Sequence, residues 1–285
     1  MSAEFTRPES IEAAVEALGE AGDEGKLIAG GTALALMLRQ RLIAPAVLIS
    51  LDGIQRLTGV SSSADDIRIG AMTRLRQVEA SPEVRRAIPA LAAACGEVGN
   101  VRVRNQATLG GNLAEADYAS DPPTVLLALD ASVRAVSPAG ERQIRLSDFF
   151  QGFYTTALGS GEILTEILIP RRPGTRRTAY AKYRSRSSED RPCVGVAAVA
   201  AFEDGVCSEL GVAVGAACET PRRIADVEAL AVGQPLGESV IRDIAEGYAD
   251  GIETLEDLRG SSWYRTEMIR VFVRRALEEV ASVGR

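Results

Sequence analysis

Ala107-Thr-Leu-Gly-Gly-Asn-Leu-Ala-Glu-Ala-Asp-Tyr-Ala-Ser-Asp-Pro-Pro-Thr124 is the stretch around which the chain is organised. Its apolar lead-in breaks at Gly110-Gly111, and it closes on Asp121 ahead of two prolines. Adjacent glycines let a backbone take φ > 0 and approach a bulky partner, because no Cβ intervenes. The N–H groups exposed in such a turn form a concavity suited to an anion such as a pyrophosphate. The Asn112 side chain is placed to brace that turn. A lone Gly-Gly is most often a tight turn between a strand and a helix. Here a second copy of the device lies upstream, in Ile28-Ala-Gly-Gly-Thr-Ala-Leu34. Two such loops after apolar strands read as two jaws on one extended ligand.

Working outward, residues 26–29 read as a short buried strand. Residues 33–42 read as a helix, with Leu34, Met37, Leu38 and Leu42 at helical spacing. Strand, Gly-Gly turn and helix start, in that order, aim free amides at whatever sits over the loop. An opening helix runs from Pro8 and Ser10 to Gly19, and 46–50 is a strand turned by Asp52-Gly53. A second lobe begins near Leu57, with a hairpin tip over 61–66, a helix capped by Thr73 and another over 88–98. The basic alternating piece 101–104 leads into the central stretch, and a short helix over 124–129 follows the prolines. Strands are expected over 133–136, 142–146 and 163–169, with the aromatics of 148–154 as packing. At 170–174 the composition shifts to a linker. Beyond it 179–183, 194–202 and 207–215 read as an antiparallel meander, followed by helices over 224–231, 238–249 and 262–281. Trp263 and Tyr264 are expected to anchor the last helix by burial. The resulting division is an N-terminal lobe over 1–55, a second lobe over 56–172 and a C-terminal α+β domain over 173–285.

A chain of 285 residues is long for one core, in keeping with that division. The net charge of −7 argues against nucleic acid or an anionic membrane as the primary partner. Neither a signal peptide nor an apolar run of membrane-spanning length is present, so the expected location is the cytoplasm. The cysteines, Cys95, Cys193, Cys207 and Cys218, are dispersed and read as reduced, separately packed thiols. No metal ligand set is expected on this chain. The absence of histidine removes the usual nucleophile pairs, so chemistry on this chain points to a borrowed cofactor.

Neither glycine loop is G-x-G-x-x-G or G-x-x-x-x-G-K-[ST], which disfavours a Rossmann fold or a P-loop. Asp121 reads either as a ligand acceptor or as a helix N-cap beside Pro122. Lys182, with Arg184, Arg186 and Arg191 nearby, reads either as a counter-charge to a ligand or as a solvated basic strand face.

Taken together, residues 28–34, Thr108-Leu-Gly-Gly-Asn112 through Asp121, Glu162-Ile-Leu-Thr-Glu-Ile-Leu-Ile-Pro170, Lys182 and Ser262-Trp-Tyr-Arg265 resemble one family. It is the FAD-binding medium subunit of molybdenum hydroxylases, which includes aerobic carbon monoxide dehydrogenase and the flavin domain of xanthine dehydrogenase. The resemblance implies an α+β fold. Its first part is a two-lobed FAD-binding domain of the vanillyl-alcohol-oxidase-like (PCMH) type, and its second a C-terminal α+β domain with a three-stranded antiparallel sheet and helices.

The resemblance further implies that Leu27, Ile28, Ala29, Gly30, Gly31, Thr32, Ala33 and Leu34 bind the FAD pyrophosphate and its neighbours. It assigns the same role to Thr108, Leu109, Gly110, Gly111 and Asn112, with Asp121, Leu164 and Lys182 as further contacts. Thr32 and Asn112 are the side chains expected to add hydrogen bonds. No residue of the chain is expected to be catalytic. Some family members carry a tyrosine beside the flavin after an aspartate in the Lys182 segment, whereas here Asp190 is followed by Arg191. The implied role is an oxidoreductase flavoprotein that relays electrons. A large subunit with the molybdenum cofactor hydroxylates substrate, a small subunit passes electrons through 2Fe–2S clusters, and FAD on this chain hands them to NAD+, oxygen, a quinone or another acceptor. Two such three-chain units would form a heterohexamer. The alternatives are a non-catalytic FAD-binding scaffold or regulatory subunit, and a nucleotide-dependent transferase, for which no magnesium-binding carboxylate set is found.

Overall fold

The computed structural model describes residues 3–172, 174, 176–187 and 189–282. The N-terminal lobe is built on three parallel strands, β1 (Glu4–Thr6), β2 (Gly25–Ile28) and β3 (Val47–Ser50), in the order β1-β3-β2. Helix Ile11–Ala21 starts where the Ser10 hydroxyl accepts from the Ala13 amide at 3.0 Å. It buries Ala14, Val15 and Leu18, in one small core with Ile49, Leu51 and Ile54. Met72 and Ile163 of the second lobe complete that core.

The second lobe contains β4 (Val60–Ser62), β5 (Asp66–Gly70), β6 (Ser132–Ser137), β7 (Gly140–Arg145), a small hairpin of β8 (Phe150–Gly152) with β9 (Thr155–Thr156), and β10 (Ile163–Pro170). The other five strands form an antiparallel sheet in the order β4-β5-β10-β6-β7. Short helices pack against it, among them Leu75–Ala80, Pro89–Gly96, Leu109–Glu115 and Pro122–Ala128.

The C-terminal domain is the expected meander, β11 (Arg176–Tyr183), β12 (Val194–Glu203) and β13 (Val206–Gly215), covered by helices Glu238–Gly251 and Ser262–Ser282. Asp204 and Gly205 both have positive φ, +50° and +82°, the twist a two-residue hairpin loop requires. Residues 194–201 are uniformly apolar because β12 is buried on both faces. Ala197 and Val199 join the core of the second lobe, while Val196, Ala198 and Ala200 join the core under the two helices. Every residue of helix Pro122–Ala128 is buried, since that helix is held between the second lobe and this sheet.

Local structure departs from the sequence reading at several points. Residues 101–104 form a helical turn, Val101–Arg104, because the Asn100 side chain caps it at the Arg102 and Val103 amides. Thr73 does not cap Leu75–Ala80; its hydroxyl bonds the Gly59 amide and carbonyl at 2.8 and 3.0 Å, tying that segment to the start of β4. Of the aromatics over 148–154, Phe149 is buried, whereas Phe153 and Tyr154 lie about half exposed. Trp263 is 71% exposed and anchors nothing; the residue of that motif that is buried is Arg265. The linker read at 170–174 includes Pro173, which lies outside the described residues. Among the described residues, no helix is long and apolar enough to cross a membrane.

Candidate functional site

The first glycine loop follows β2 directly. Leu27 and Ile28 end the strand, where the Ile28 carbonyl accepts from Leu51 at 3.0 Å. Gly31 then takes φ +70° and Leu34 opens a short helix, Leu34–Arg39. All eight positions from Leu27 to Leu34 are half-buried. Among the described residues, the amides of Gly30, Gly31, Thr32 and Ala33 and the Thr32 hydroxyl find no acceptor or donor partner. Amides without a partner in the chain are left to water or to a bound acceptor. Consecutive N–H groups around a left-handed residue form a concavity that favours an anion.

The second loop has a different construction. Gly110 and Gly111 do not sit in a turn after a strand. They lie in the first turn of helix Leu109–Glu115, neither has positive φ, and Thr108 is the N-cap. The amides here are already used: Leu109 donates to Thr73 O at 2.9 Å, Gly110 to Ala71 O at 2.8 Å, Gly111 to Thr108 Oγ1 at 3.1 Å and Asn112 to Thr108 O at 2.9 Å. Free main-chain donors are therefore a property of the first loop, not of both. The second offers side chains instead. Asn112 Oδ1 accepts from the buried Ser120 hydroxyl at 2.9 Å, which orients its amide group.

The glycines serve the meeting of the two loops. A Cβ on Gly30 would stand 2.7 Å from the Gln106 carbonyl carbon and 2.9 Å from Ala107 Cα, and closer still to the Gln106 oxygen. One on Gly111 would stand 3.3 Å from Ala29 Cβ, and one on Gly110 would meet the Ala71 oxygen at 2.7 Å. The loops of the two lobes thus meet at one seam of bare backbone. Leu164 lies behind it. Its side chain is in the core of the second lobe, and the β-bulge beside it lets Thr165 O accept from the Ala71 amide at 2.9 Å. Ala71 in turn carries Gly110.

Asp121 and Lys182 meet each other across the junction with the C-terminal sheet. Lys182 Nζ lies 3.0 Å from Asp121 Oδ2 and donates to the Glu97 carbonyl at 2.8 Å. Tyr180 donates to Asp121 Oδ1 at 2.6 Å. With a side chain only 2% exposed, Lys182 is not on a solvated basic face. The carboxylate of Asp121 caps no helix; it faces its two donors from a residue with helical backbone angles. Burial pushes the Asp121 carboxyl above its ordinary range, and the Lys182 ammonium and Tyr180 hydroxyl pull it back. The Tyr180 hydroxyl is raised well above its ordinary value by burial and by the Asp121 charge. Tyr180 escaped the sequence reading because its only sign, a tyrosine in an alternating strand, is also that of a packing residue.

Arg191 is exposed and pairs with Asp117 at 3.1 Å, beside the wall that leads to Asp121. Among the described residues, no group of three acidic, cysteine or histidine side chains could hold a metal.

Residues 1–172 match the family described as the FAD binding domain in molybdopterin dehydrogenase. Residues 178–280 match the one described as the CO dehydrogenase flavoprotein C-terminal domain. The glyceraldehyde dehydrogenase medium chain of Sulfolobus acidocaldarius is 33% identical over 97% of this chain and 98% of its own length. The nicotine 6-hydroxylase medium subunit of Paenarthrobacter nicotinovorans is 34% identical over 98% and 97%. A solved carbon monoxide dehydrogenase of Hydrogenophaga pseudoflava, in a form lacking the Mo-pyranopterin moiety, has a chain that superposes with a TM-score of 0.94 at 32% identity. That alignment covers 98% of this chain and 97% of the other.

Proposed function

The chain belongs to the family of FAD-binding subunits of molybdopterin dehydrogenases, and from that premise we propose that it is the electron-relay flavoprotein of a three-subunit hydroxylating complex. As an oxidoreductase subunit of this family it carries the FAD-binding domain. The carrying observation is the first loop, whose four consecutive amides lack partners among the described residues beside its seam with the second lobe. We assign the FAD diphosphate to residues 29–33, with Thr32 and Asn112 adding side-chain hydrogen bonds. We place the buried charge pair of Asp121 and Lys182 behind the cofactor, where it leaves little room for solvent. The lobes over 1–55 and 56–172 close on the dinucleotide, and the domain over 173–285 backs them.

When bound, FAD supplies the capacity to take electrons singly and release them in pairs. The chain's own part is to bind the dinucleotide, orient it and set its electrostatic surroundings, which needs no histidine. The partners in this reading are a large subunit with the molybdenum cofactor and a small subunit with 2Fe–2S clusters, assembled as two three-chain units in the cytoplasm. The glyceraldehyde dehydrogenase and nicotine 6-hydroxylase names of the relatives support membership in such an assembly and leave the substrate of this one open.

The test begins with the purified full chain and FAD. Flavin retained through gel filtration, with visible bands shifted from those of free FAD, is the expected result; complete loss of flavin overturns the reading. In the assembled complex, reductant delivered through the iron–sulfur subunit should bleach the flavin. A flavin that stays oxidised there would make the chain a scaffold instead.

A further inference from the structure

A second cluster of charge, at residues 257–265 and buried at Arg265, plays no part in the site described so far. Arg265 is 0% exposed. Its guanidinium donates to the Cys193 and Ala216 carbonyls at 2.6 Å each and to Asp257 Oδ1 at 2.5 Å. Asp257 also receives Arg259 at 2.9 Å and the Tyr118 hydroxyl at 2.9 Å. Arg259 lies over the Tyr118 ring, 5.1 Å from its centroid, and reaches the Tyr118 oxygen as well. A buried guanidinium is costly, and apolar residues such as Ile269 and Val273 already anchor the same helix without that cost. What charges add is direction, because a multiply bonded guanidinium fixes the carboxylate it holds.

The direction fixed here leads back to Asn112 and Asp121. Tyr118 belongs to the wall 117–121, whose Ser120 bonds Asn112 and whose Asp121 bonds Lys182. The same wall is tied to the C-terminal domain by the Ala216 amide, 3.2 Å from the Tyr118 carbonyl. We propose that Asp257, held by Arg259 and Arg265, is a positioning residue for flavin binding, acting through the Tyr118 hydroxyl on the wall that carries Ser120 and Asp121. The proposal rests on the FAD reading above. It makes the Asp257-to-Arg265 segment part of the cofactor site without contact to the cofactor.

The test uses the full chain and titrates apoprotein with FAD. Tyr118→Phe removes one hydroxyl and keeps the ring against Phe153, 5.1 Å away, and under Arg259. It should raise the FAD dissociation constant about 10-fold, the usual worth of a hydrogen bond to a charged group, and alter the circular dichroism of the bound flavin. Asp257→Asn should do the same. In the double variant the loss should stay near 10-fold, because both act along one path. A Tyr118→Phe protein with wild-type FAD affinity and unchanged flavin dichroism overturns the proposal, as do losses that multiply in the double variant. Should Asp257→Asn not fold, Tyr118→Phe alone decides by the same two readouts. Failure of the wild-type chain to take up FAD at all would instead overturn the parent reading, and this one with it.

Discussion

Replacing Gly30 by alanine tests whether the two lobes grip the cofactor by touching each other. The new Cβ would lie 2.7 Å from the Gln106 carbonyl carbon, against the 3.4 Å at which ordinary contact begins. The atoms it meets are backbone and the Gln106 oxygen is nearer still, so the first loop must withdraw from the second by on the order of 1 Å. Overpacking of this kind costs about 1–3 kcal/mol. Borne by FAD binding alone, that is a loss of roughly 5- to 150-fold in FAD affinity. The assay is flavin fluorescence on titrating apoprotein, read beside the thermal midpoint of the same apoprotein. Gly19→Ala is the control: it lies within helix Ile11–Ala21 with no atom within 4 Å of the added Cβ, and should bind FAD as the wild type does. A Gly30→Ala protein with the wild-type dissociation constant would refute the idea that contact between the loops builds the site.

Thr108→Val should lower the apoprotein midpoint by roughly 2 °C, since an N-cap is worth about 1 kcal/mol. Thr32→Val should leave the midpoint alone and weaken FAD, because the Thr32 hydroxyl has no partner among the described residues; the opposite pattern would exchange the roles of the two threonines. Lys182→Met strands a buried carboxylate and should cost about 3–5 kcal/mol in chemical denaturation. Adding Asp121→Asn should restore most of it, and a double variant as unstable as the single one would dismiss the ion pair as the cause. Burial opposes ionisation of Asp257, but the Arg259 amide and guanidinium, the Tyr118 hydroxyl and the Arg265 charge together hold its carboxyl below the usual range. Its contribution to stability is thus present above an unfolded value of about 3.9 and lost as pH falls from there toward the folded value. Thermal midpoints measured down that acid limb should decline more in the wild type than in Asp257→Asn, and superimposable limbs would show that Asp257 does not govern it.

What the sequence revealed follows how local each cause is. Gly31 after an apolar strand is a local matter, and its left-handed backbone was legible there. The three C-terminal strands were legible from apolar runs and an Asp-Gly turn. The helical state of Gly110 and Gly111 was not, because the acceptor that holds Gly110 is Ala71 on a distant segment. Thr73 looked like a cap, since nothing nearby announces that Gly59 will take its hydroxyl. Arg265, not Trp263, is buried for the same reason: the carbonyls of Cys193 and Ala216 that admit a guanidinium come from other strands and turns. Leu164 entered the candidate site through family resemblance alone and Lys182 as one of two open readings, and only the fold explains the company they keep.

The double burial of β12 bears on which part of the molecule opens first. A strand that belongs to two cores at once cannot part from either without wetting both, so the rear of the molecule is fixed. The N-terminal lobe has a small core, completed by Met72 and Ile163, and rests on its neighbour along glycine backbone. Local opening follows the least-buried contacts. By that measure the first sheet, with the smallest core, is the element expected to open before the sheets behind it.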